Sequence, residues 1–170
     1  MFELAALQDL YRHLEWAEAA VWAVALQSPA AIADQELCER LHHIHTTQRV
    51  FLEVWTGRPV GKHYNLKFPS LRELYEWATP YYPQVHAYLA ALPERQLHAP
   101  TSVPWARLFN KETGGDPGPT TLAETLFQVT SHSTYHRGQM NTRLRVLGSA
   151  PPLVDYIAWL WRGRPAPQWV

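Results

Sequence analysis

The spacing of apolar residues predicts a long helix at the start of the chain. Residues 2–27 contain no Gly or Pro, and the Ser28-Pro29 pair marks the end of the segment. Within it, apolar side chains recur at steps of three and four residues: Leu7, Leu10, Leu14, Ala17, Val21 and Val24. This spacing places them on one face of an α-helix.

Two further helices follow from capping and breaking signals. The second is predicted to run from Asp34, as its N-cap, to Trp55, with a glycine shortly after its end. Ser70 is a suitable N-cap for the third. Proline inside a helix removes a backbone hydrogen bond, so we expect an interruption and a restart, with Thr79 as the new N-cap and Pro80 at the first helical position.

The last third of the chain contains a loop and the clearest helix. Residues 93–119 are rich in Pro and Gly and predict a long loop, which could cover a site as a lid. Thr121 and Glu124 form a capping-box pattern that opens a fourth helix ending at Gly148. A short helix over 153–161 follows. The fold class is therefore an all-α four-helix bundle with a short additional C-terminal helix, in a single domain over 1–170.

Composition narrows the classes of function. Of 170 residues, 46% are hydrophobic and 18% charged, which is enough to bury one core. Fifteen basic and fifteen acidic residues give no net charge, so binding to nucleic acid through the phosphate backbone is not expected. The single cysteine, Cys38, fits a reducing compartment. With no apolar run of about 20 residues, we expect no membrane span and a cytoplasmic protein.

Histidine clustering is the first sign of chemistry. Five of nine histidines fall in two short stretches: His42, His43, His45, His132 and His136. On the fourth helix, His136 lies within the apolar stripe and His132 at its edge, four residues apart. This spacing lets a helix offer two imidazoles to one metal ion. A metal site would need a third ligand from another helix.

The second helix offers three candidates for that third ligand. The position of its apolar stripe allows either His43 or His45 to be the third ligand and indicates that His42 faces solvent. Other chemistries lack their motifs: we find no zinc-protease, nucleophile-elbow or phosphate-loop sequence. A di-iron bundle needs two E-x-x-H motifs, and the chain has one, at Glu39. No motif supports Cys38 as a nucleophile, so we expect it to be an unreactive residue buried in the helix.

Two segments resemble one family. The run His-Ser-Thr-Tyr-His-Arg-Gly-Gln at 132–139 is similar to the H-x-x-x-H-R-G-Q motif of the DinB/YfiT-like superfamily of bacterial helical bundles. Residues 41–52 are similar to a second family segment, and aligning Arg49 and Phe51 with it puts the family's metal-binding histidine on His43. The chain departs from the family at Gln48, where an acidic residue is common, and at Glu15, where Asn is common.

The resemblance implies a metal site and a class of reaction. It implies one divalent ion (Zn, Ni, Fe or Mn) on His43, His132 and His136, and a homodimer. Several relatives are metal-dependent transferases or isomerases that use a low-molecular-weight thiol, such as mycothiol or bacillithiol. We therefore expect a thiol cofactor and a small electrophilic substrate, with Arg137 and Gln139 as residues that either support the metal-binding histidines or orient the substrate. The alternatives are a metal-dependent hydrolase that activates water and a non-catalytic, metal-stabilised dimeric bundle.

Overall fold

The computed structural model describes residues 2–170, apart from the side chain of Asn110. In the described chain, α-helices account for nearly all regular structure and no β-strand forms, which confirms the all-α prediction. Two short 3-10 segments lie at His63–Asn65 and Glu94–His98. The helices are α1 Leu4–Gln27, α2 Pro29–Ile32, α3 Gln35–Trp55, α4 Leu71–Ala78, α5 Tyr81–Ala91, α6 Arg107–Thr113, α7 Leu122–Val146 and α8 Tyr156–Trp161.

The N-caps predicted for the second, third and fourth helices are confirmed. The Asp34 carboxylate accepts the backbone N–H of Leu37 and so caps α3. Ser70 caps α4 in the same way. At the start of α7, Thr121 and Glu124 exchange hydrogen bonds in a complete capping box. Each cap satisfies backbone donors that the first turn of a helix leaves unpaired.

The predicted third helix is broken one residue later than expected. Thr79 has a right-handed helical backbone, and its N–H bonds to the carbonyl of Tyr75, so it ends α4 instead of capping α5. Pro80 therefore precedes α5 and is not its first residue. The reason is that the backbone hydrogen bonds of α4 continue up to Thr79. They stop at Pro80, which has no N–H to donate.

The segment predicted as a loop over 93–119 contains structure. Besides the 3-10 segment, it includes α6, whose seven residues are too few to show helical periodicity. Trp105, just before α6, packs edge-on against Phe51 with ring centroids 5.0 Å apart. The last helix also starts later than predicted, at Tyr156. The residues before it stay extended, because the Val154 carbonyl accepts a hydrogen bond from His13 of α1 and is not free to begin a helix.

The three longest helices, α1, α3 and α7, pack against one another, and α4 and α5 complete the bundle. A chain of hydrogen bonds crosses the interior between them. Trp22 of α1 donates to His45 of α3, His45 bonds to Gln48, and Gln48 donates to Ser133 of α7. Among the described residues, no helix has the length and apolarity that a membrane span requires.

A buried contact between a carboxyl group and a guanidinium also joins α1 to α7. Glu18 is 0% exposed and Arg137 is 3% exposed, with 3.4 Å between Oε1 and Nη1. The other carboxylate oxygen of Glu18 is buried and has no hydrogen-bond partner. Removal from water penalises the charged form, and this raises the pKa of Glu18 to about 7 although Arg137 opposes the shift.

The raised pKa predicts a pH-dependent stability. Folded chains retain the Glu18 proton up to about pH 7, whereas an unfolded chain releases it near 4.5. The stability from this group is therefore full below pH 4.5 and is lost as the pH rises through 7. Relative to Glu18→Gln, the free energy of unfolding should fall by about 3 kcal/mol between pH 5 and pH 8.

Urea unfolding of both chains across this pH range measures the effect. Glu76→Gln, at an exposed position of α4, is the matched control and should follow the original chain. A difference between the original chain and Glu18→Gln that stays constant with pH would show that Glu18 is ionised throughout.

Candidate metal centre

The structure brings His43, His132 and His136 together. His43 projects from α3, and the other two project from adjacent turns of α7, which packs alongside α3. One ring nitrogen from each histidine lies within 4.8 Å of the other two. All three side chains are half-buried, so the group is accessible from solvent. The pair predicted from its spacing and the residue assigned by resemblance therefore form one cluster.

The distances within the cluster fit a metal ion. The Nε2 atoms of His43 and His132 are 3.2 Å apart. Tetrahedral zinc binds histidine nitrogens at about 2.0–2.1 Å, which sets two such ligands about 3.3 Å apart. Three imidazoles suit Zn and several other divalent transition metals, and the donor set alone does not select among them. The residues present fit the divalent ion that the family resemblance implies.

Two of the three histidines, His43 and His132, are held in the neutral form that binds metals. Burial lowers the pKa of His43 below its usual range, and the charges of neighbouring histidines add to this effect. The same causes lower the pKa of His132 to about 4. At neutral pH both rings therefore keep a free lone pair and need not lose a proton before coordination.

Gln139 orients the third histidine. Its side-chain Oε1 lies 2.9 Å from Nδ1 of His136, and an amide oxygen only accepts, so Nδ1 carries the proton and Nε2 keeps a lone pair. The same oxygen accepts from Arg40 at 2.7 Å, and Glu36 holds Arg40 in place. Supports of this kind fix the ring and tautomer of a ligating histidine. Gln139 thus lies beside the site, as predicted, and its contact is with a histidine.

Arg137 lies elsewhere. Its guanidinium bonds to Glu18 and to the Thr134 hydroxyl, inside the bundle towards α1. The structure does not bring it to the three histidines, and its position does not support the predicted role in orienting a ligand there. The residue lies one position beyond His136, and one step along a helix turns a side chain by about 100°.

The other two histidines of α3 have structural roles. His42 was expected to face solvent, which is wrong. It is half-buried, its Nε2 donates to the carbonyl of His63, and its ring packs against Phe68 and Trp77. The segment between α3 and α4 folds over this face, which periodicity within α3 cannot predict. His45 is fully buried, with Nε2 accepting from Trp22 and Nδ1 bonded to Gln48.

A cavity of about 800 Å³ opens beside His43 and His132. One wall comes from α3 and α7, and the facing wall comes from α6 and the residues before it, including Trp105, Leu108 and Phe109. Part of the 93–119 segment, which the sequence suggested as a lid, therefore lines the cavity beside the histidines. Tyr64 also lines the cavity, with its ring 6.3 Å from that of His43. No sequence signal singled out Tyr64, because it lies outside every long helix.

Comparison with known proteins agrees with this geometry. The sequence profile of the DinB family matches residues 1–166. The chain belongs to the DinB family. No curated protein and no solved structure gave a match. The DinB assignment covers both α3 and α7, and therefore all three histidines of the cluster.

Gln139 provides a test of whether the three histidines can bind a metal ion in the observed arrangement. In Gln139→Ala, Nδ1 of His136 loses its acceptor, and the ring loses its fixed orientation. The affinity for Zn²⁺ should fall by about 10- to 100-fold. Competition with a chelating dye measures the change. Gln84→Ala, at an exposed position of α5, is the matched control. An unchanged dissociation constant for Gln139→Ala would show that this hydrogen bond does not support the site.

Proposed function

We propose that this DinB protein is a metal-dependent enzyme that uses a low-molecular-weight thiol to attack a small electrophilic substrate. The observation that carries the proposal is the three-histidine cluster at the wall of the cavity. At about 800 Å³, the cavity has the size of a site for a small organic molecule. Thiol use and assembly as a homodimer are parts of the proposal that rest on the family resemblance.

The ligand set favours a catalytic site over a structural one. Structural zinc sites have four protein ligands, whereas catalytic sites have three and leave a position for substrate or water. Among the described residues, no carboxylate or thiol joins the three histidines. A divalent ion bound there would keep its full charge and would lower the pKa of a thiol or water.

The remaining residues would prepare the site for an organic ligand. Gln139 keeps His136 in the tautomer with Nε2 free. Phe51 and Trp105 meet in an edge-to-face contact and give the cavity an apolar wall. A metal that served only to tie helices together would need no such space. The cavity therefore favours an enzyme over the non-catalytic bundle.

Metal binding tests the first part of the proposal. Dialysis against Zn²⁺ followed by elemental analysis should give about one equivalent per chain. His43→Ala, His132→Ala and His136→Ala should each weaken binding by at least about 100-fold, because two imidazoles remain. His86→Ala is the matched control, since His86 pairs with Glu15 between α5 and α1. Full metal content in all three variants would disprove the site.

Product analysis tests the second part. Zinc-loaded protein should accelerate conjugation of a thiol to 1-chloro-2,4-dinitrobenzene, and His43→Ala should abolish the acceleration. Acceleration of 4-nitrophenyl acetate hydrolysis without thiol would favour the hydrolase. If neither reaction is accelerated but chelation strongly lowers the free energy of unfolding, the non-catalytic bundle is the better description.

A further inference from the structure

A second cavity lies between α1 and α7, away from the histidine cluster. It has a volume of about 400 Å³, and residues just before α8, together with the first residue of α8, form its third side. It shares no lining residue with the large cavity beside His43 and His132. The chemistry proposed for the histidines therefore does not use this space, which is large enough for a small organic molecule.

The guanidinium of Arg137 lies at this second cavity although the residue is almost fully buried. It donates to the Thr134 hydroxyl at 3.1 Å and to Oε1 of Glu18 at 3.4 Å. The second distance is long, since hydrogen bonds between a guanidinium and a carboxylate are usually about 2.7–2.9 Å. No other described residue accepts from Arg137, and a guanidinium carries more N–H donors than these two bonds use. Arg137 thus has donors left for a ligand.

The positive charge of Arg137 is not matched by a fixed negative charge beside it. Glu18 is fully buried, and one of its oxygens has no hydrogen-bond partner, which suits a carboxylic acid better than a carboxylate. In agreement, burial raises the pKa of Glu18 to about 7. Arginine keeps its charge in proteins, and a buried charge without a counter-ion is costly. An anion in the cavity would stabilise this arrangement.

Two other titratable residues line the second cavity, His13 and Asp155. Burial lowers the pKa of His13, and the nearby charge of Arg137 adds to the effect, so His13 contributes no negative charge. Asp155 is exposed, and no ion pair joins it to Arg137 among the described residues. Water screens an exposed carboxylate, but Asp155 still disfavours a ligand with a second negative charge. The charges therefore suit a ligand with one.

The remaining lining residues suit an organic ligand more than an inorganic ion. Apolar and aromatic side chains form much of the wall: Leu10, Leu14, Phe127, Val154 and Tyr156. Asn141, one turn after Arg137 on α7, also lines the cavity, and its buried Oδ1 has no hydrogen-bond partner. A carboxamide has donors as well as an acceptor, so Asn141 is a second polar group available to a ligand.

We propose that the second cavity binds a small monocarboxylate with an apolar body, whose carboxylate pairs with Arg137 and whose body packs against the apolar wall. This site is separate from the three histidines, and its ligand requires neither a metal ion nor a thiol.

Three matched probes test the site: 4-fluorobenzoate, 4-fluorobenzyl alcohol and 4-fluorobenzylamine, which is a cation at neutral pH. Binding is measured by fluorine NMR titration at pH 6.5 with the full chain, after treatment with a chelator so that no metal ion binds the carboxylate. The benzoate should bind at least about tenfold more tightly than the alcohol, and the amine should bind most weakly. Acetate lacks the body and should displace the benzoate only at concentrations at least about tenfold higher.

Variants assign the binding to Arg137. Glu18→Gln should bind 4-fluorobenzoate within about threefold of the original chain, because it also places a neutral side chain beside Arg137. Adding Arg137→Gln to this variant should weaken binding at least about tenfold and abolish the preference over the alcohol. The two chains differ only in the cation, and circular dichroism checks that both fold. His43→Ala should bind like the original chain.

A blocking variant tests the location if the double variant does not fold. Gly138 lines the cavity, and a Cβ there would meet no atom within 4 Å, so Gly138→Phe can place a ring in this space. It should weaken binding of 4-fluorobenzoate at least about tenfold. Gly115→Phe is the matched control, since Gly115 is exposed, has equal room and lies outside this cavity.

Four results would each overturn the proposal. They are no saturable binding of 4-fluorobenzoate, binding no tighter than that of the alcohol, displacement by acetate at equal concentration, and full affinity in a folded chain without Arg137. Full affinity in Gly138→Phe would place the benzoate elsewhere and would also overturn it.

Discussion

The close packing of α3 against α7 is the constraint on which the site depends. It brings an imidazole from one helix to within 3.2 Å of an imidazole from the other, with the third one turn away. Three imidazole nitrogens this close together satisfy one another poorly, since two of them can share only one proton. A divalent cation satisfies all three. The three-histidine cluster is therefore compatible with a bound metal ion.

The surrounding polar residues explain how this arrangement can be held in place. Gln139 and Arg40 connect α7 to α3 directly beside His136. Deeper in the bundle, the hydrogen bonds that end at Ser133 connect all three long helices, one residue from His132. Buried polar contacts of this kind have strict geometry, because an unpaired partner inside a protein is costly. These hydrogen bonds therefore fix the spacing of α3 and α7, the two helices that carry the three histidines.

Sequence reasoning predicted what depends on local geometry. Caps and helical periodicity predicted the long helices, and the four-residue spacing predicted the pair at His132 and His136. It could not choose between His43 and His45, because both flank the same apolar stripe; the choice came from the family resemblance. Contacts between segments far apart in the sequence could not be predicted from local patterns. The cover over His42, the short helix α6 and the burial of Arg137 all depend on residues far away in sequence.

X-ray absorption spectroscopy at the zinc edge tests the central claim most directly. The zinc-loaded protein should show three imidazole nitrogens at about 2.0–2.1 Å from the zinc and one further ligand. That ligand should be oxygen without a thiol and sulfur when a thiol is added. Replacing His43 should remove one imidazole from the spectrum. Zinc surrounded only by oxygen, or a spectrum unchanged by that replacement, would contradict convergence of the three histidines on one ion.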